Sequence, residues 1–327
     1  MPHPVLAKIA DDTLAAVRNG RTPDIHGTVH PLKDLSIDLS ATEYYPPDSS
    51  LSSWASANPS DAPKAELVLR KCSTLQGVQH CVPGAQGKIG VLNFASATRE
   101  GGGFISGASA QEESIARSST LYSSLITPTA QRFYHMHRKE TKSKYYTHAM
   151  IYTRGVQIFR TDKGNWVPPT TVDVLTSAAV NAGVVRSREG GGGGGHNKGK
   201  KGAGIKAYFK PINEPSGRTA DTTDPEPPKD VEKAIEDVMR ERMGRLLFLF
   251  EKEGVQDLVL GSFGTGVFQN KVPMVAKLWI ELLAAPNARF KNSFQRAVFA
   301  IIDQKTCGVF KDVFVEHEVE FTDNSLG

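Results

Sequence analysis

Apolar positions along the chain alternate between short continuous runs and stripes with helical spacing. Short continuous runs favour buried strands, whereas apolar residues recurring every three or four positions favour amphipathic helices. The runs predict strands at residues 67–69, 89–94, 149–152, 156–159, 172–178, 257–260 and 297–302. The stripes predict helices at residues 5–17, 74–81, 111–125, 230–252 and 272–283, with Ser73 as the N-cap of the second and Asp230 as that of the fourth.

Strands that alternate with helices in this way predict an α/β sandwich of three layers. In such sheets ligands bind beyond the carboxyl ends of the strands. Residues 19–63 are rich in Pro, Ser and Asp and are predicted to be mostly loop. We therefore expect residues 1–64 to form a helical and loop extension that packs on the core, and residues 65–327 to form the main domain.

A run of six glycines at residues 190–195 is followed by several lysines. Such a run cannot bury side chains or hold one conformation, which is typical of a flexible surface insertion. We place this insertion at about residues 187–229. The alternative interpretation is a basic loop that grips phosphate groups.

The composition adds little about partners. The 327 residues carry a formal net charge of +4, which is compatible with an anionic ligand but gives no argument for nucleic acid. No apolar stretch is long enough for a membrane span, and the N-terminus lacks the features of a secretory signal. With Cys72, Cys81 and Cys307 as buried core residues, an intracellular protein of the nucleus or cytoplasm is expected.

The most informative segment runs from the predicted strand at residues 89–94 to Glu113. The strand is followed by the glycine triplet Gly101, Gly102 and Gly103, which permits positive φ angles and close approach of a ligand. Gln111, Glu112 and Glu113 then begin a predicted helix. Two adjacent carboxylates beside such a loop indicate acid–base chemistry at a bound ligand, although acidic residues in a first turn can simply complement the helix dipole.

The protonation state of this acidic pair is left open by the sequence. The dipole at a helix N-terminus lowers the pKa of nearby carboxyl groups. Repulsion between neighbouring carboxylates, a ligand diphosphate and burial all raise it, and a general acid needs the raised value.

A second glycine loop, residues 261–268, follows the predicted strand 257–260 and precedes the predicted helix 272–283. A strand, a glycine turn and a helix N-terminus together form an anion site, because free N–H groups and the helix dipole point at the ligand. The spacing Gly-x-x-Gly-x-Gly differs from the dinucleotide-binding fingerprint and from a P-loop. A tight turn without a ligand is the alternative interpretation.

Histidines offer a possible metal site. His135, His137 and His148 lie close in sequence, but no Cys or carboxylate joins them at a ligand spacing. We expect neither a metal nor another cofactor.

The segment from Asn93 to Tyr122, with three glycines, seven residues and then Gln-Glu-Glu, resembles the signature of the microbial type of poly(ADP-ribose) glycohydrolase. The resemblance extends from about residue 66 to residue 309. Thr265 stands where the second glycine loop of the family commonly has Cys, and Ala178 and Val180 replace two prolines. Arg99 and Glu100 stand where the family often has Asn-Pro or a similar pair.

This resemblance implies a macrodomain-like α/β/α sandwich with a mixed central sheet, and an enzyme that hydrolyses ribose–ribose bonds of poly(ADP-ribose). It implies that Glu113 is the general acid and base, that Glu112 holds ribose hydroxyl groups, and that Phe268 packs on the ribose. Gln111 is expected to position Glu113 or to contact the ligand. The other residues expected to bind substrate are Asn93, Ser96, Gly101, Gly102, Gly103, Ser106, Gly261, Ser262, Phe263, Gly264, Thr265, Gly266 and Val267.

Three functions follow as hypotheses. The first is hydrolysis of poly(ADP-ribose), with ADP-ribose as product. The second is removal of single ADP-ribose units from ADP-ribosylated proteins, and the third is binding of ADP-ribose without catalysis. We expect a monomer that needs no divalent metal and binds neither nucleic acid nor membranes. Arg117 is expected to form a surface pair with Glu113, and Tyr145 and Tyr146 to serve in packing.

Overall fold

The computed structural model describes residues 3–32, 41–58, 60, 63–139, 143–189 and 229–324. The predicted glycine-rich insertion lies almost wholly outside the described residues.

The described residues form helices and strands that alternate along the chain. The helices are α1 (Pro4–Arg18), α2 (Thr74–Cys81), α3 (Gln111–Ser118), α4 (Leu121–Leu125), α5 (Pro128–Lys139), α6 (Ala182–Glu189), α7 (Lys229–Lys252), α8 (Val272–Leu283) and α9 (Gln304–Glu316). The strands are β1 (Arg21–Pro23), β2 (Val29–Pro31), β3 (Thr42–Tyr45), β4 (Glu66–Arg70), β5 (Lys88–Phe94), β6 (Met150–Arg160), β7 (Trp166–Ser177), β8 (Val255–Leu260), β9 (Arg296–Ala300) and β10 (Thr322–Asn324).

The main sheet has the strand order β10-β4-β9-β8-β5-β7-β6-β3, and β1 and β2 form a separate hairpin. The strands from β10 to β7 are parallel, whereas β6 and β3 are antiparallel to their neighbours. The sheet is therefore mixed, as expected.

Helices cover both faces of this sheet. On β5, the side chain of Leu92 joins one buried cluster and that of Val91 joins another, because successive strand residues point to opposite faces. The Leu92 cluster includes residues of α7, α8 and α9, and the Val91 cluster includes residues of α2 and α5. This arrangement confirms the predicted three-layer α/β sandwich.

Several predicted elements need correction. The helix predicted at residues 111–125 is interrupted at Ser119, which is extended and forms a bridge with Ile158 of β6. The two strands predicted within residues 149–159 are the single strand β6. The predicted loop at residues 19–63 contains β1, β2 and β3, and β3 is an edge strand of the main sheet. A division at residue 64 stays a prediction.

The sequence pattern missed the helices α5, α6 and α9. Helix α5 buries Ala130, Phe133, Tyr134 and His137, a stripe with helical spacing that includes two polar residue types and so lacks a clear apolar signal. Helix α9 is capped by the side chain of Asp303, which accepts a hydrogen bond from the N–H of Thr306. The three cysteines are free and buried, as expected. Within the described ranges, no helix is long and apolar enough to cross a membrane.

Close packing of α7 on the sheet depends on a glycine in β5. A Cβ atom at Gly90 would lie 2.7 Å from a ring carbon of Phe250 and 2.8 Å from a methyl group of Val255. We predict that Gly90→Ala lowers the free energy of unfolding by roughly 1–3 kcal/mol, because the buried neighbours must shift. Urea unfolding followed by circular dichroism measures this change.

Gly308→Ala is a matched control, since a Cβ atom there meets no atom within 4 Å and the position is helical. This variant should be as stable as the parent or more stable. Equal effects of the two substitutions would contradict the packing argument.

Candidate active site

The two glycine loops leave the sheet at the same edge. Strands β5 and β8 are parallel neighbours, so the segments after Phe94 and Leu260 both emerge at their carboxyl ends. The rings of Phe94 and Phe263 lie 5.6 Å apart, and a Cβ atom at Gly261 would meet the Phe94 ring at 3.2 Å. Both loops therefore lie beyond the carboxyl ends of neighbouring strands, which is where a ligand site is expected.

Gln111 fastens the start of α3 to the end of β5. Its Oε1 accepts a hydrogen bond of 2.9 Å from the N–H of Phe94. Its Nε2 donates to the carbonyl of Leu92 at 2.7 Å and to the hydroxyl of Thr74 at 3.2 Å. The side-chain amide is therefore engaged by the protein, and Gln111 sets where the two following glutamates lie.

The glycine triplet wraps around the Glu113 carboxylate. Gly101 and Gly102 have φ angles of 63° and 60°, which strain residues with a Cβ atom. A Cβ atom at Gly102 would lie 2.2 Å from Glu113 Oε1. The N–H of Gly103 donates to the same oxygen at 2.9 Å. The turn thus needs glycine both for its backbone conformation and for its contact with the carboxylate.

Ser106 and Gly107 close this turn. The Ser106 hydroxyl donates to the carbonyl of Gly103 at 3.0 Å. Gly107 has a φ angle of 82°, and a Cβ atom there would lie 2.4 Å from the carbonyl oxygen of His3. The segment that leads into α1 therefore packs directly against the turn and restricts its movement.

Glu112 is buried beneath the loop, with 3% of its surface exposed. Its Oε2 accepts a hydrogen bond of 2.7 Å from the N–H of Ser96, whereas its Oε1 is buried without a partner among the described residues. Burial raises the pKa of Glu112 well above its usual value, and the neighbouring Glu113 carboxylate raises it further. At this residue, burial outweighs the effect of the helix dipole.

Asn93 is fully buried at the end of β5. Its Nδ2 donates to the Thr176 hydroxyl at 3.1 Å, and its Oδ1 has no partner within the described part of the chain. The Asn93 side chain also lies beside Glu112 and partly offsets the rise in the pKa of that carboxyl group. Buried polar atoms without partners are uncommon in folded proteins, and here they occur together beside Glu112.

The second glycine loop is held by Asn270. The Asn270 side chain donates to the carbonyls of Gly264, at 2.9 Å, and Val180, at 2.8 Å. Gly264 has a φ angle of 75°, and a Cβ atom there would lie 2.4 Å from Ala179. In the described structure the N–H groups of Gly266 and Val267 have no backbone acceptor, which suits an anion site.

The remaining residues of this loop have different surroundings. The Thr265 hydroxyl donates to the carbonyl of Ser262 at 3.0 Å, and Val267 is 74% exposed. Phe263 is fully buried against Phe94, so its side chain belongs to the core. The prediction that Phe263 binds substrate is therefore wrong for its side chain, and its N–H donates to the carbonyl of Gly261 at 2.9 Å.

Phe268 lies beside Tyr146, with 5.8 Å between the ring centroids. Tyr146 has a φ angle of 53°, which is uncommon for a residue with a Cβ atom, and its hydroxyl lies near the side chain of Asn181. Its ring also contacts His137 edge-on at 5.6 Å. The sequence analysis assigned Tyr146 to packing, and the structure adds that it supports the expected ribose-contacting aromatic.

Arg242 of α7 is a supporting residue that the sequence analysis missed. Its side chain is fully buried and donates to the carbonyls of Ala178, Tyr145 and Tyr146 at 2.8–3.1 Å. Burial and the neighbouring Arg245 lower its pKa to about 9. The sequence of a long amphipathic helix predicts that an arginine in it is exposed, so only the tertiary structure identifies this role.

Two further expectations need comment. The surface pair between Arg117 and Glu113 is wrong, because the Arg117 guanidinium is buried and donates to the carbonyl of Ala108 at 2.7 Å. Among the described residues, no group of His, Cys, Asp and Glu side chains is arranged to hold a metal ion. His137 instead hydrogen-bonds the hydroxyl of Thr147.

Known proteins are similar to this chain in sequence and in fold. The family model for the catalytic domain of microbial-type PARG, poly(ADP-ribose) glycohydrolase, matches residues 10–161. The structure of PARG from Thermomonospora curvata is 29% identical, with a TM-score of 0.77 over 95% of this chain and 100% of that chain. The same enzyme bound to the inhibitor ADP-HPD gives 28% identity and a TM-score of 0.74 over 95% and 99% of the two chains.

PARG from Deinococcus radiodurans in complex with ADP-ribose is 28% identical, with a TM-score of 0.67 over 88% of this chain and 99% of that chain. A comparison with curated proteins gave no match. The fold and the carboxylate pair at the sheet edge thus define a macrodomain-like α/β protein. The chain is thus similar to microbial-type PARG in sequence over residues 10–161 and in fold over most of its length.

Burial of Glu112 has a consequence for stability. Because the pKa of Glu112 is raised in the folded state, folding takes up a proton. The stability that this proton uptake contributes is lost as the pH rises through the folded pKa. We predict that Glu112→Gln, which cannot ionise, melts about 2 °C or more above the parent at pH 8. The difference should shrink as the pH falls towards 5, as followed by scanning calorimetry.

Glu320→Gln is the control for this measurement, since the Glu320 side chain is 89% exposed. It should melt like the parent at every pH. A Glu112→Gln variant that melts below the parent across the whole range would contradict the stated cost of burying this carboxyl group.

Proposed function

We propose that this protein hydrolyses the ribose–ribose O-glycosidic bonds of poly(ADP-ribose) and releases ADP-ribose. The observation that carries this proposal is the pair of glutamates at the sheet edge. Glu113 is enclosed by the glycine turn, and Glu112 is buried beside it. The similarity to PARG structures that contain ADP-ribose or ADP-HPD supports this assignment.

The glycine turn brings main chain and carboxylates together. Since a Cβ atom at Gly102 would overlap Glu113 Oε1, only glycine lets the backbone lie over this residue. The N–H of Gly103 fixes Oε1 by a hydrogen bond, which orients the carboxylate before substrate arrives. A pre-oriented acid avoids reorganisation during the reaction.

Glu113 serves as acid and then as base. Protonated Glu113 donates its proton to the leaving ribose oxygen while the bond from that oxygen to the anomeric carbon breaks with both electrons going to the oxygen. Positive charge develops on the anomeric carbon and its ring oxygen. A water oxygen then bonds to that carbon, and the Glu113 carboxylate takes the released proton, which restores the acid.

Glu112 binds the ribose in this scheme. Its raised pKa favours a neutral carboxyl group, which can donate one hydrogen bond as well as accept others. A neutral Glu112 also limits repulsion next to Glu113 and the diphosphate. Together with buried Asn93, it offers polar atoms suited to the hydroxyl groups of a sugar.

The loop at residues 261–268 holds the diphosphate. The N–H groups of Gly266 and Val267 and the following N-terminus of α8 supply positive potential. Phe268 packs on the ribose next to the bond that is cleaved, and Tyr146 supports it from behind. No step in this scheme uses a metal ion.

The alternative substrate is a protein that carries single ADP-ribose units, since the same acid would protonate that leaving group. The purified chain should be incubated with automodified polymer and, separately, with mono-ADP-ribosylated protein, each in EDTA. Release of ADP-ribose from the polymer, identified by mass spectrometry, supports the proposal. Release of ADP-ribose from the mono-ADP-ribosylated protein alone would assign the alternative substrate. Release from neither substrate would leave binding of ADP-ribose without catalysis as the function.

Glu113→Gln tests the catalytic acid. The substitution keeps the size of the side chain and an oxygen that accepts the Gly103 hydrogen bond, but removes the transferable proton. We predict a loss of kcat of about 10²–10⁴-fold, measured as ADP-ribose released from polymer, with binding of ADP-ribose retained. The exposed control Glu316→Gln should keep parent activity. Activity of Glu113→Gln within a few-fold of the parent would remove this residue from the mechanism.

Gly264→Val tests the diphosphate loop. A branched side chain at a φ angle of 75°, with Ala179 only 2.4 Å from the new Cβ atom, must displace the loop. We predict an affinity for ADP-ribose at least about 10-fold weaker by calorimetry. Circular dichroism reports whether the variant is folded. A folded variant with parent affinity would exclude this loop as the phosphate site.

A further inference from the structure

Helix α5 presents a polar stripe to the loop that precedes the glycine triplet. Gln131, Tyr134 and Arg138 are spaced by three and four residues and therefore share one face of the helix. Arg138 donates a hydrogen bond to the carboxylate of Glu100, and Gln131 lies near the same carboxylate and lowers its pKa. This stripe is not used by the proposed chemistry.

Arg138 contacts the loop at two points. Its Nη2 lies 2.5 Å from Oε1 of Glu100, and its Nε donates to the carbonyl of Thr98 at 2.9 Å. The guanidinium therefore holds one side chain and one carbonyl group within three consecutive residues. A planar guanidinium can make both contacts at once, which an ammonium group cannot do equally well.

The segment that Arg138 holds connects the two ends of the site. On one side is Ser96, whose N–H binds Glu112 and whose hydroxyl accepts hydrogen bonds from the N–H groups of Thr98 and Arg99. On the other side is Gly102, whose N–H donates to the carbonyl of Arg99 at 3.1 Å. A shift of this segment would move both the support of Glu112 and the turn over Glu113.

We propose that Arg138 is a positioning residue for the hydrolysis proposed above, acting through Glu100 and the carbonyl of Thr98. It keeps the Ser96 N–H against Glu112 and the glycine turn against Glu113. The inference rests on the proposed function, because it assigns a role within that reaction.

This role predicts an effect on catalysis that exceeds the effect on stability. The Arg138 and Glu100 side chains are 40% and 20% exposed, and such partly exposed ion pairs add little to global stability. Small displacements of catalytic groups, in contrast, lower the rate strongly. A merely structural arginine would give the opposite pattern.

Arg138→Met removes both contacts and keeps much of the apolar stem. We expect kcat on poly(ADP-ribose) to fall about 10- to 100-fold, with the melting temperature changed by only a few degrees. Binding of ADP-ribose, measured by calorimetry, should weaken much less than kcat falls. Arg138→Lys, which can still pair with Glu100, should recover part of the lost rate.

Lys139→Met is the matched control. It removes one cation from the next position of the same helix, where the side chain is exposed and points about 100° away from Arg138. This variant should keep parent kcat. An equal loss in both variants would attribute the effect to the charge of α5 and overturn the proposal.

Glu100→Gln completes a double-mutant cycle. If the two residues act as one unit, the double variant of Arg138→Met and Glu100→Gln loses no more activity than Arg138→Met alone. Losses that multiply would overturn the coupling and with it the proposal.

The activity of the parent protein distinguishes a failure of the proposed function from a failure of the positioning role. A parent that releases no ADP-ribose from any substrate overturns the proposed function and the positioning role together. An active parent whose Arg138→Met variant keeps kcat within about two-fold overturns the positioning role alone.

Discussion

The site depends on the burial of one carboxyl group under a glycine turn. Glu112 is 3% exposed, and burial without a cationic partner opposes its ionisation. The fold keeps it there because Gln111 ties the helix start to β5 and the Ser96 N–H binds its Oε2. Only glycine at position 102 lets the backbone lie over the neighbouring Glu113. The start of α3, the end of β5 and the glycine turn therefore depend on one another. The free energy that this burial costs is offset by the apolar clusters on both faces of the sheet.

The helices around the site contact its loops and not the position of the ligand. The lead into α1 packs on Gly107, α5 reaches Glu100 through Arg138, and α7 inserts Arg242 between two loop segments. Both arginines bind carbonyl groups, which fixes main chain directly. Such contacts suit loops that lack regular secondary structure, because their carbonyl groups otherwise need water. The result is a site whose acidic residues stand on a helix start and whose loops are restrained from three sides.

The similarity to bacterial PARG structures extends over most of the chain, and contacts between elements distant in sequence hold the loop after β5. Glu100 finds its partners in α5, whose polar stripe lies about 30 to 40 residues further along. Rigidity of this segment therefore comes from side-chain contacts between elements, and it can be altered without changing the carboxylates themselves.

The sequence by itself determined the local features. Glycine triplets, a Gln-Glu-Glu helix start and short apolar runs depend on neighbouring residues. They predicted the α/β sandwich and placed each glycine loop after a strand. The tertiary structure decided which way side chains face and what they contact. In the structure the side chain of Phe263 lies in the core, and that of Gln111 hydrogen-bonds the end of β5. The side chain of Arg117 is buried, and that of Arg242 lies beneath the loops. Those contacts join residues distant in sequence, such as Arg242 and Tyr145, and no local spacing encodes them because they exist only once the sheet has brought its helices together.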